Sequence, residues 1–429
     1  MPDPTPRPGM REALTAFRYP NFARFWLGAL LSNSGSWIQN VTVPYVVFRL
    51  TGSAFWVGLA GFLQFLPVVL MGPLGGVLAD RFHRRTVLLV TQSAQAAVAA
   101  VLAGLWAAGV RSVGPVVGLV AVSGLIGGVN IPSWQAFVSE LVPREVLLNA
   151  VTLNSTQFNA ARAFGPALGG LLLGTVGPGW AFLVNAVSYV AVIAALLAIR
   201  VPRLARPPGG RGVLGELAGT VRYVRRYPGI LACLVIVTGL GALGSPVFQM
   251  LVVFAEEVFG VGGVAYGLLG AALGVGSVLA APLVAGPGSA VSRSTLVTVA
   301  VLTYGSGITA FALAPVYSLG LVALLVAGGA YLAIASTLNT TIQIQVDEAM
   351  RGKVLALYIM FLTAALPVGA LVQGGLVQMV GPRVTVAAAG VSFLALCSWL
   401  RVGTGWVARM DDTGSATTGA AGTGATAIG

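Results

Sequence analysis

The sequence predicts an all-α polytopic membrane protein with twelve transmembrane helices in two six-helix halves. Three observations predict this fold class. Only 8% of the 429 residues are charged and 57% are hydrophobic, whereas about a quarter of the residues in a soluble domain carry charge. Twelve apolar runs are long enough to cross a bilayer, and short phrases of the first half recur in the second. The mean hydropathy of +0.90 agrees with this class.

A membrane-spanning helix needs roughly 20 apolar residues to cross a hydrocarbon core of ~30 Å. The first six runs of this kind lie near 24–48, 54–78, 86–109, 113–138, 149–176 and 180–199. The second six lie near 229–254, 264–285, 294–314, 318–344, 354–379 and 384–404. The predicted domains are a cytoplasmic segment 1–22, six-helix bundles 23–200 and 228–404, a cytoplasmic linker 201–227 and a disordered tail 405–429.

The two halves look like copies of one unit. Tyr19-Pro20 recurs as Tyr227-Pro228, 208 positions later, and Gly58 recurs as Gly267, 209 positions later. Each Tyr-Pro pair stands where the first helix of a half begins, and proline suits the first turn of a helix. Several matches in the same order indicate internal duplication. Parallel repeats of this kind place a substrate path between the halves.

The linker predicts a helix that lies at the membrane surface. Its apolar residues share one helical face: Leu214, Leu217, Val221 and Val224. Arg222 and Arg226 turn away from that face, and Arg225 stands at its end. Such an amphipathic pattern is typical of an interfacial helix.

The basic residues predict the orientation in the membrane. The net charge of +12 comes from arginine clusters between apolar runs rather than from one basic face, which excludes a nucleic-acid partner. With the N-terminus inside, three arginines fall in outer loops: Arg49, Arg111 and Arg383. Nearly all the others fall on the inner side, so the positive-inside rule places both termini in the cytoplasm. The use of 23 arginines against one lysine, with many alanines and glycines, is typical of a GC-rich bacterial genome. We expect a monomer in the lipid bilayer of a bacterial inner membrane.

The loop between the second and third spans combines an acid with small and basic residues: Gly76, Asp80, Arg81, Arg84 and Arg85. An ordinary positive-inside loop would explain the arginines, but an acid at a membrane edge needs a cation or a helix N-terminus as partner. The stretch resembles the loop signature of the major facilitator superfamily, Gly-x-x-x-Asp-Arg-x-Gly-Arg-Arg, with His83 in place of its second glycine. The resemblance covers nearly the whole chain and implies a gating role for this loop.

The fifth span is unusually polar. Asn159 and Arg162 share a helical face, and Arg162 lies about 15 Å from the inner boundary by helix rise. An arginine at this depth is costly unless it faces water, a partner or a substrate. Beyond it, four residues resemble the fifth-helix signature of antiporters in the same superfamily: Gly165, Pro166, Gly169 and Gly170. That resemblance implies export, while the alternative is a packing motif without directional meaning.

Two further segments resemble the bacterial exporter branch that includes enterobactin exporters and macrolide efflux proteins. They are "SNSGSWIQ" in the first span and "ELVPREVLLNAV" between the fourth and fifth spans. The resemblance implies a small amphipathic substrate that is drug-, macrolide- or siderophore-like.

Polar residues within the spans predict a substrate cavity. Asn33, Trp37 and Asn40 share one face of the first span. The candidate binding set adds residues of four other spans: Asn130, Asn159, Arg162, Gln249 and Asn339. Amides with a few aromatic rings suit a weakly polar, adaptable pocket. The alternative for each amide is a hydrogen bond between helices.

We therefore predict a secondary transporter that exports its substrate by alternating access and proton antiport, without catalytic residues, cofactor or metal. None of the twelve acids lies at the membrane midplane, and Glu140 and Asp80 are the candidate proton carriers. An importer or an uncoupled facilitator of the same fold is the main alternative. A transport-inactive receptor or scaffold is another. A membrane enzyme would need clustered acids, histidines or cysteines, and the chain has one histidine.

Overall fold

The computed structural model describes residues 14–200 and 213–412, and within these ranges it contains helices and no strand. The first half contains α1 (Pro20–Thr51), α2 (Ala54–Arg81), α3 (Arg84–Ala107), α4 (Val113–Val138), α5 (Leu147–Thr175) and α6 (Pro178–Ala198). The second half contains α7 (Pro228–Val258), α8 (Gly263–Ala285), α9 (Arg293–Leu313), α10 (Tyr317–Gln345), α11 (Glu348–Val380) and α12 (Pro382–Gly403). A linker helix (Val213–Val224) joins the halves.

Each predicted apolar run corresponds to one of the twelve long helices, which confirms the fold class. Ten of them are long and apolar enough to cross a membrane. The other two, α1 and α5, are 32 and 29 residues long. Their apolar character is interrupted by the polar stretches around Asn33 and Asn159.

The halves meet through two pairs of helices that the repeat makes equivalent. Helix α2 packs against α11, and α5 packs against α8. The repeat offset is 208 at Tyr227, the counterpart of Tyr19, and 209 at Gln249, the counterpart of Asn40. In this interval α7 contains a π-helical turn at Leu240–Gly244, with the Ser245 amide donating to the Leu240 carbonyl. A π turn accommodates one additional residue in a helix, and this turn lies within the interval where the offset increases by one.

The ends of the helices define two faces of the molecule. The face that contains the α2–α3 loop and the linker helix is called the arginine-rich face, after Arg81, Arg84 and Arg225. Arg49 and Arg383 lie on the opposite face, at the end of α1 and the start of α12.

The helix predicted in the linker is present as Val213–Val224, and its apolar face packs against the second half. Val224 is buried, and Leu217 and Val221 pack against the hydrophobic core of the second half. The Tyr223 hydroxyl donates to the Asp347 carboxylate at 2.9 Å, next to the start of α11. Burial raises the pKa of Tyr223, so its hydroxyl keeps the proton that it donates. The rest of the predicted linker, 201–212, lies outside the described residues.

The predicted disordered tail begins too early at 405. Val407 and Met410 are buried, and the Gln345 side chain donates to the Arg409 carbonyl at 2.8 Å. These contacts hold residues 405–412 against α7 and α10. The remainder of the predicted tail, 413–429, and residues 1–13 of the N-terminal segment lie outside the described residues.

Candidate functional site

A central cavity of about 270 Å³ lies between the two halves. Its walls come from both halves and bring together four residues that the sequence predicts for substrate binding: Trp37, Asn40, Arg162 and Gln249. The remaining walls include the rings of Phe248 from α7 and of Tyr304 and Tyr331 from α9 and α10. The cavity is therefore aromatic, with a small number of polar groups.

Arg162 lies near the middle of α5 and contacts rings from both halves. Its guanidinium carbon is 4.9 Å from the ring centroid of Tyr331 and 5.8 Å from that of Trp37. Among the described residues, no carboxylate lies within ion-pair distance of Arg162, and it is the one charged residue that lines the cavity. A guanidinium stabilised only by aromatic faces keeps its donors available for an anion.

Aromatic rings meet across the boundary between the halves at Trp37. Its ring lies edge-on to Phe248 of α7 at 6.0 Å and to Phe158 of α5 at 6.2 Å. Phe248 and Tyr331 are not predicted from the sequence, because a single aromatic residue in an apolar run is indistinguishable from a core residue. The polar neighbour Gln249 was the available signal for Phe248.

A second cavity of about 510 Å³ extends from the central cavity into the first half. The two cavities share Asn40, Phe65 and Phe158. Amide and hydroxyl groups line the second cavity, and none of its described lining residues is charged. We call it the amide chamber. Three residues of the predicted binding set lie in it besides Asn40: Asn33, Asn130 and Asn159.

The amides of this chamber also connect helices. Gln64 donates to Asn40 at 2.8 Å between α2 and α1, and Asn33 donates to Gln157 at 3.2 Å between α1 and α5. Asn130 accepts from Thr91 of α3 at 2.8 Å. An amide side chain has two donor hydrogens and two acceptor lone pairs. These groups therefore retain hydrogen-bonding capacity toward a ligand in the chamber.

Asn339, also in the predicted binding set, lines neither the central cavity nor the amide chamber. Its side chain accepts a hydrogen bond from Gln343 on the same helix. Asn339 is two turns of α10 beyond Tyr331, toward the arginine-rich face. Helical periodicity places a residue on a face of its helix, but it does not place it at the level of a cavity.

The halves are in contact on the opposite face. Arg49 forms an ion pair with Glu256 at 3.1 Å, and Ser53 donates to Gln378 at 2.9 Å. The Tyr266 hydroxyl donates to the Val41 carbonyl at 3.0 Å. Each of these contacts joins the first half to the second.

Glycines permit this close approach of the halves. A Cβ atom built on Gly170 of α5 would lie 2.5 Å from the Cα of Gly267 of α8. A Cβ on Gly374 of α11 would lie 2.7 Å from the carbonyl oxygen of Ala54 of α2. Any side chain at these positions would separate the helices.

The glycine-proline motif of α5 serves two helix contacts. Gly165 and Gly169 lie against Trp37 and Val41 of α1 in the same half. Pro166 lies against α8 of the other half, where a Cβ on Gly270 would be 3.0 Å from its Cβ. The motif therefore holds α5 between the two halves beside the central cavity.

The cavities are accessible from the arginine-rich face. Ser155 and Asn159, which lie toward that face in the amide chamber, are exposed. Gln249 and Tyr266, toward the opposite face, are 4% and 1% exposed. The structure thus shows the state in which the opposite face is closed.

The α2–α3 loop is fastened within the first half. Arg84 lies 3.1 Å from Glu140, whose side chain is 4% exposed, and 3.9 Å from Asp80, whose side chain is 64% exposed. Arg85 donates to the carbonyls of Leu196 and Leu197 at the end of α6. One guanidinium thus faces two carboxylates at the arginine-rich face.

A close helix approach beside this loop occurs at Gly75, the residue before Gly76 of the motif. A Cβ on Gly75 would lie 2.5 Å from the carbonyl oxygen of Gly128 in α4, whereas a Cβ on Gly76 would meet nothing within 4 Å. Arg81, beyond these glycines, is exposed. One residue of helix rotates a side chain by about 100°, which is enough to move it from a contact to open space.

Two repeated six-helix halves around a cavity that is open on one face define a transporter of the major facilitator type. The chain belongs to the family described as transmembrane secretion effector, whose model matches residues 11–410. It is a multi-pass membrane transporter for small molecules and not an enzyme.

Known proteins of similar sequence and structure agree with this family. The chain is 26% identical over 397 residues to the enterobactin exporter EntS of Escherichia coli O1:K1 / APEC, covering 88% of this chain and 90% of that protein. It is 27% identical over 396 residues to the enterobactin exporter EntS of Citrobacter koseri, covering 88% and 89%. A bacterial homologue of the human lysosomal transporter Spinster, in an inward-facing and occupied conformation, has a TM-score of 0.70 at 15% identity, covering 92% of this chain and 97% of that chain.

Proposed function

We propose that this protein exports an anionic, amphipathic small molecule of the siderophore type from the bacterial cytoplasm across the inner membrane. The observation that carries the proposal is Arg162, a charged residue without an acidic partner in the described structure, beside Tyr331 and Trp37. The similarity to enterobactin exporters supports the direction and the substrate class.

The two connected cavities suggest how such a substrate is held. An anionic or carbonyl-rich aromatic part would lie in the central cavity, where Arg162 donates and the rings of Trp37 and Phe248 stack. A neutral polar part would extend into the amide chamber, where Asn33 and Asn40 offer hydrogen bonds. Few precisely placed polar groups within an apolar wall give orientation and specificity.

Transport requires the closed face to open while the arginine-rich face closes. The ion pair between Arg49 and Glu256 and the glycine contact between Gly170 and Gly267 would break in that change. Asp80, exposed here, would then clamp the two halves together at the arginine-rich face. An importer or facilitator would use the same two states, so direction is decided by experiment.

The direct test is uptake of labelled enterobactin into inside-out membrane vesicles with an imposed pH gradient. We expect accumulation above the level of vesicles without the protein, and a loss of that accumulation with a protonophore. Accumulation that ignores the gradient would favour the facilitator. Absence of enterobactin and of other anionic siderophores from the vesicles would favour a receptor or scaffold.

We also propose that the two acids around Arg84 couple transport to protons. Asp80 and Glu140 share this one guanidinium, so uptake of one proton leaves the cluster neutral. Of the two, Glu140 is buried at the boundary of the apolar region, where a change in protonation alters the cost of burial most.

Glu140→Gln is expected to abolish the response of vesicle uptake to the pH gradient while leaving gradient-independent exchange in place. The amide cannot release a proton but keeps the size of the side chain. The matched control is Glu145→Gln, an exposed acid in the same loop, which should behave as the wild type. Gradient-driven uptake that is equal in the two variants would exclude Glu140 as the proton carrier.

We propose that both termini and the linker are cytoplasmic. Reporter fusions after Gly209 and at the C-terminal end should therefore both show cytoplasmic activity. This orientation is favoured because nearly all the arginines outside the spans then lie on the cytoplasmic side. A fusion in the α1–α2 connection after Gly52 serves as the external control, since it lies on the opposite face. An external signal at Gly209 would contradict the arrangement of six plus six spans.

A further inference from the structure

A third cavity, of about 590 Å³, lies at the arginine-rich end of the second half between the linker helix, α7, α11 and α12. Its walls are almost entirely aliphatic and include Leu231, Val235, Leu357 and Leu396. The hydroxyl of its one lining threonine, Thr238, donates to the Leu234 carbonyl at 2.7 Å. This cavity has no residue in common with the central cavity or the amide chamber.

The internal repeat shows why the second half has a cavity here. At the offset of 208 that relates Tyr19 to Tyr227, Trp26 corresponds to Leu234 and Phe17 to Arg225. In the first half Trp26 lies edge-on to Phe17 at 5.0 Å and donates to the Leu153 carbonyl at 2.8 Å.

The two rings stand at the equivalent positions of the first half, where they pack against its hydrophobic core. The second half replaces both rings, by an aliphatic side chain and by an arginine, and Leu234 and Arg225 both line the cavity. Close packing is the rule in protein interiors, so a space of this size calls for an occupant.

Arg225 gives this space a charged entrance. It is exposed, and among the described residues it has no ion pair or side-chain hydrogen bond. From Leu231 to Leu243 the cavity follows α7 for about 18 Å by helix rise. At the deep end of this stretch α7 and α11 come into close contact, since a Cβ on Gly241 would be 2.7 Å from the Leu362 carbonyl oxygen. The site therefore fits a long unbranched apolar chain with an anionic group at one end.

We propose that this cavity binds one acyl chain of an anionic phospholipid, with the lipid phosphate held by Arg225. Anionic headgroups attract basic side chains at a membrane surface, and guanidinium pairs well with phosphate. The lipid chain fills the space that Trp26 and Phe17 fill in the first half. It also supports the linker helix, which is tied to α11 by Tyr223 and Asp347.

The test is native mass spectrometry of the full-length protein in detergent with phosphatidylglycerol or phosphatidylcholine of identical acyl chains. We expect one retained phosphatidylglycerol per wild-type protein and weaker retention of phosphatidylcholine. Leu234→Trp restores the ring of the first half and should remove the retained lipid of either type. Arg225→Gln should keep chain binding but lose the preference for phosphatidylglycerol.

Two further variants separate the role of Arg225 and of the cavity from a general effect of mutation. Arg222→Gln removes an exposed arginine of the linker helix, three residues before Arg225, and Arg222 does not line the cavity. This variant should retain the preference. If Leu234→Trp does not give a monodisperse protein, Val235→Phe fills the cavity from the adjacent position. The proposal would be overturned if the folded variant with the filled cavity retained as much lipid as the wild type. It would also be overturned if Arg222→Gln and Arg225→Gln lost the preference for phosphatidylglycerol equally.

Discussion

Arg162→Met is expected to reduce transport of an anionic substrate by about 30-fold or more, because loss of one partner from a buried charge pair costs about 2–5 kcal/mol. The side chain lies between Tyr331 and Trp37, without a carboxylate partner in the described part of the chain. Removal of the Arg162 guanidinium therefore leaves no buried carboxylate without a partner, and folding should be little affected. Methionine preserves most of the length and the contact with the rings. Uptake into vesicles, corrected for the amount of protein in the membrane, measures the effect.

Two variants separate charge from packing in this prediction. Arg162→Lys keeps the charge but lacks the planar guanidinium that binds carboxylates in two places, so we expect intermediate transport. Arg111→Met is the matched control, since Arg111 also contacts an aromatic ring, Trp106 at 3.8 Å, but lies outside both cavities. If Arg162→Met transports enterobactin as well as Arg111→Met does, Arg162 serves the packing of the halves and the anionic substrate class is wrong.

The sequence predicted the fold well because its signals are local. Apolar length determines where a span lies, and the recurrence of Tyr19-Pro20 at Tyr227 reveals the duplication without any structure. The faces of single helices were predicted as well, since Asn33 and Asn40 of α1 line the same cavity. Periodicity within one helix is sufficient for such statements.

Relations between helices were harder to predict, for physical reasons. The level of Asn339 relative to the cavity depends on how far α10 is shifted along its neighbours, and sequence spacing does not encode that shift. Tyr331 was missed because its importance comes from Arg162 of the other half. The predicted start of the disordered tail at 405 is too early because Val407 and Met410 are isolated apolar residues in the sequence. Only the folded structure shows that they are buried against the rest of the protein.

The two halves also diverged in a way that the duplication alone does not reveal. The first half uses Phe17 and Trp26 to close the start of α1, and it gathers most of the polar groups in the amide chamber. The second half supplies aromatic walls such as Tyr331 to the central cavity. The polar and aromatic groups that line the cavities are thus divided unequally between two copies of one architecture.

Gly374→Val is expected to prevent closure of the opposite face and to lower transport about tenfold or more, because overpacking a tight contact costs about 1–3 kcal/mol. The new Cβ would lie 2.7 Å from the Ala54 carbonyl oxygen and 3.0 Å from the Cα of Gly58. Both atoms belong to the backbone of α2, so no side-chain rotation relieves the clash. The helices must separate, which favours the state that is open on the opposite face.

Gly375→Val is the matched control for this prediction, since a Cβ on Gly375 would meet nothing within 4 Å. Both variants introduce the same β-branched residue into adjacent positions of α11, so any loss of helix propensity is shared. A reporter cysteine at Ser245, which lines the central cavity, can be labelled with a membrane-impermeant maleimide in vesicles of either orientation. Gly374→Val should increase labelling from the opposite face and decrease it from the arginine-rich face, whereas Gly375→Val should match the parent in labelling and uptake. Equal labelling of the two variants would mean that the contact between α2 and α11 does not control access to the cavity.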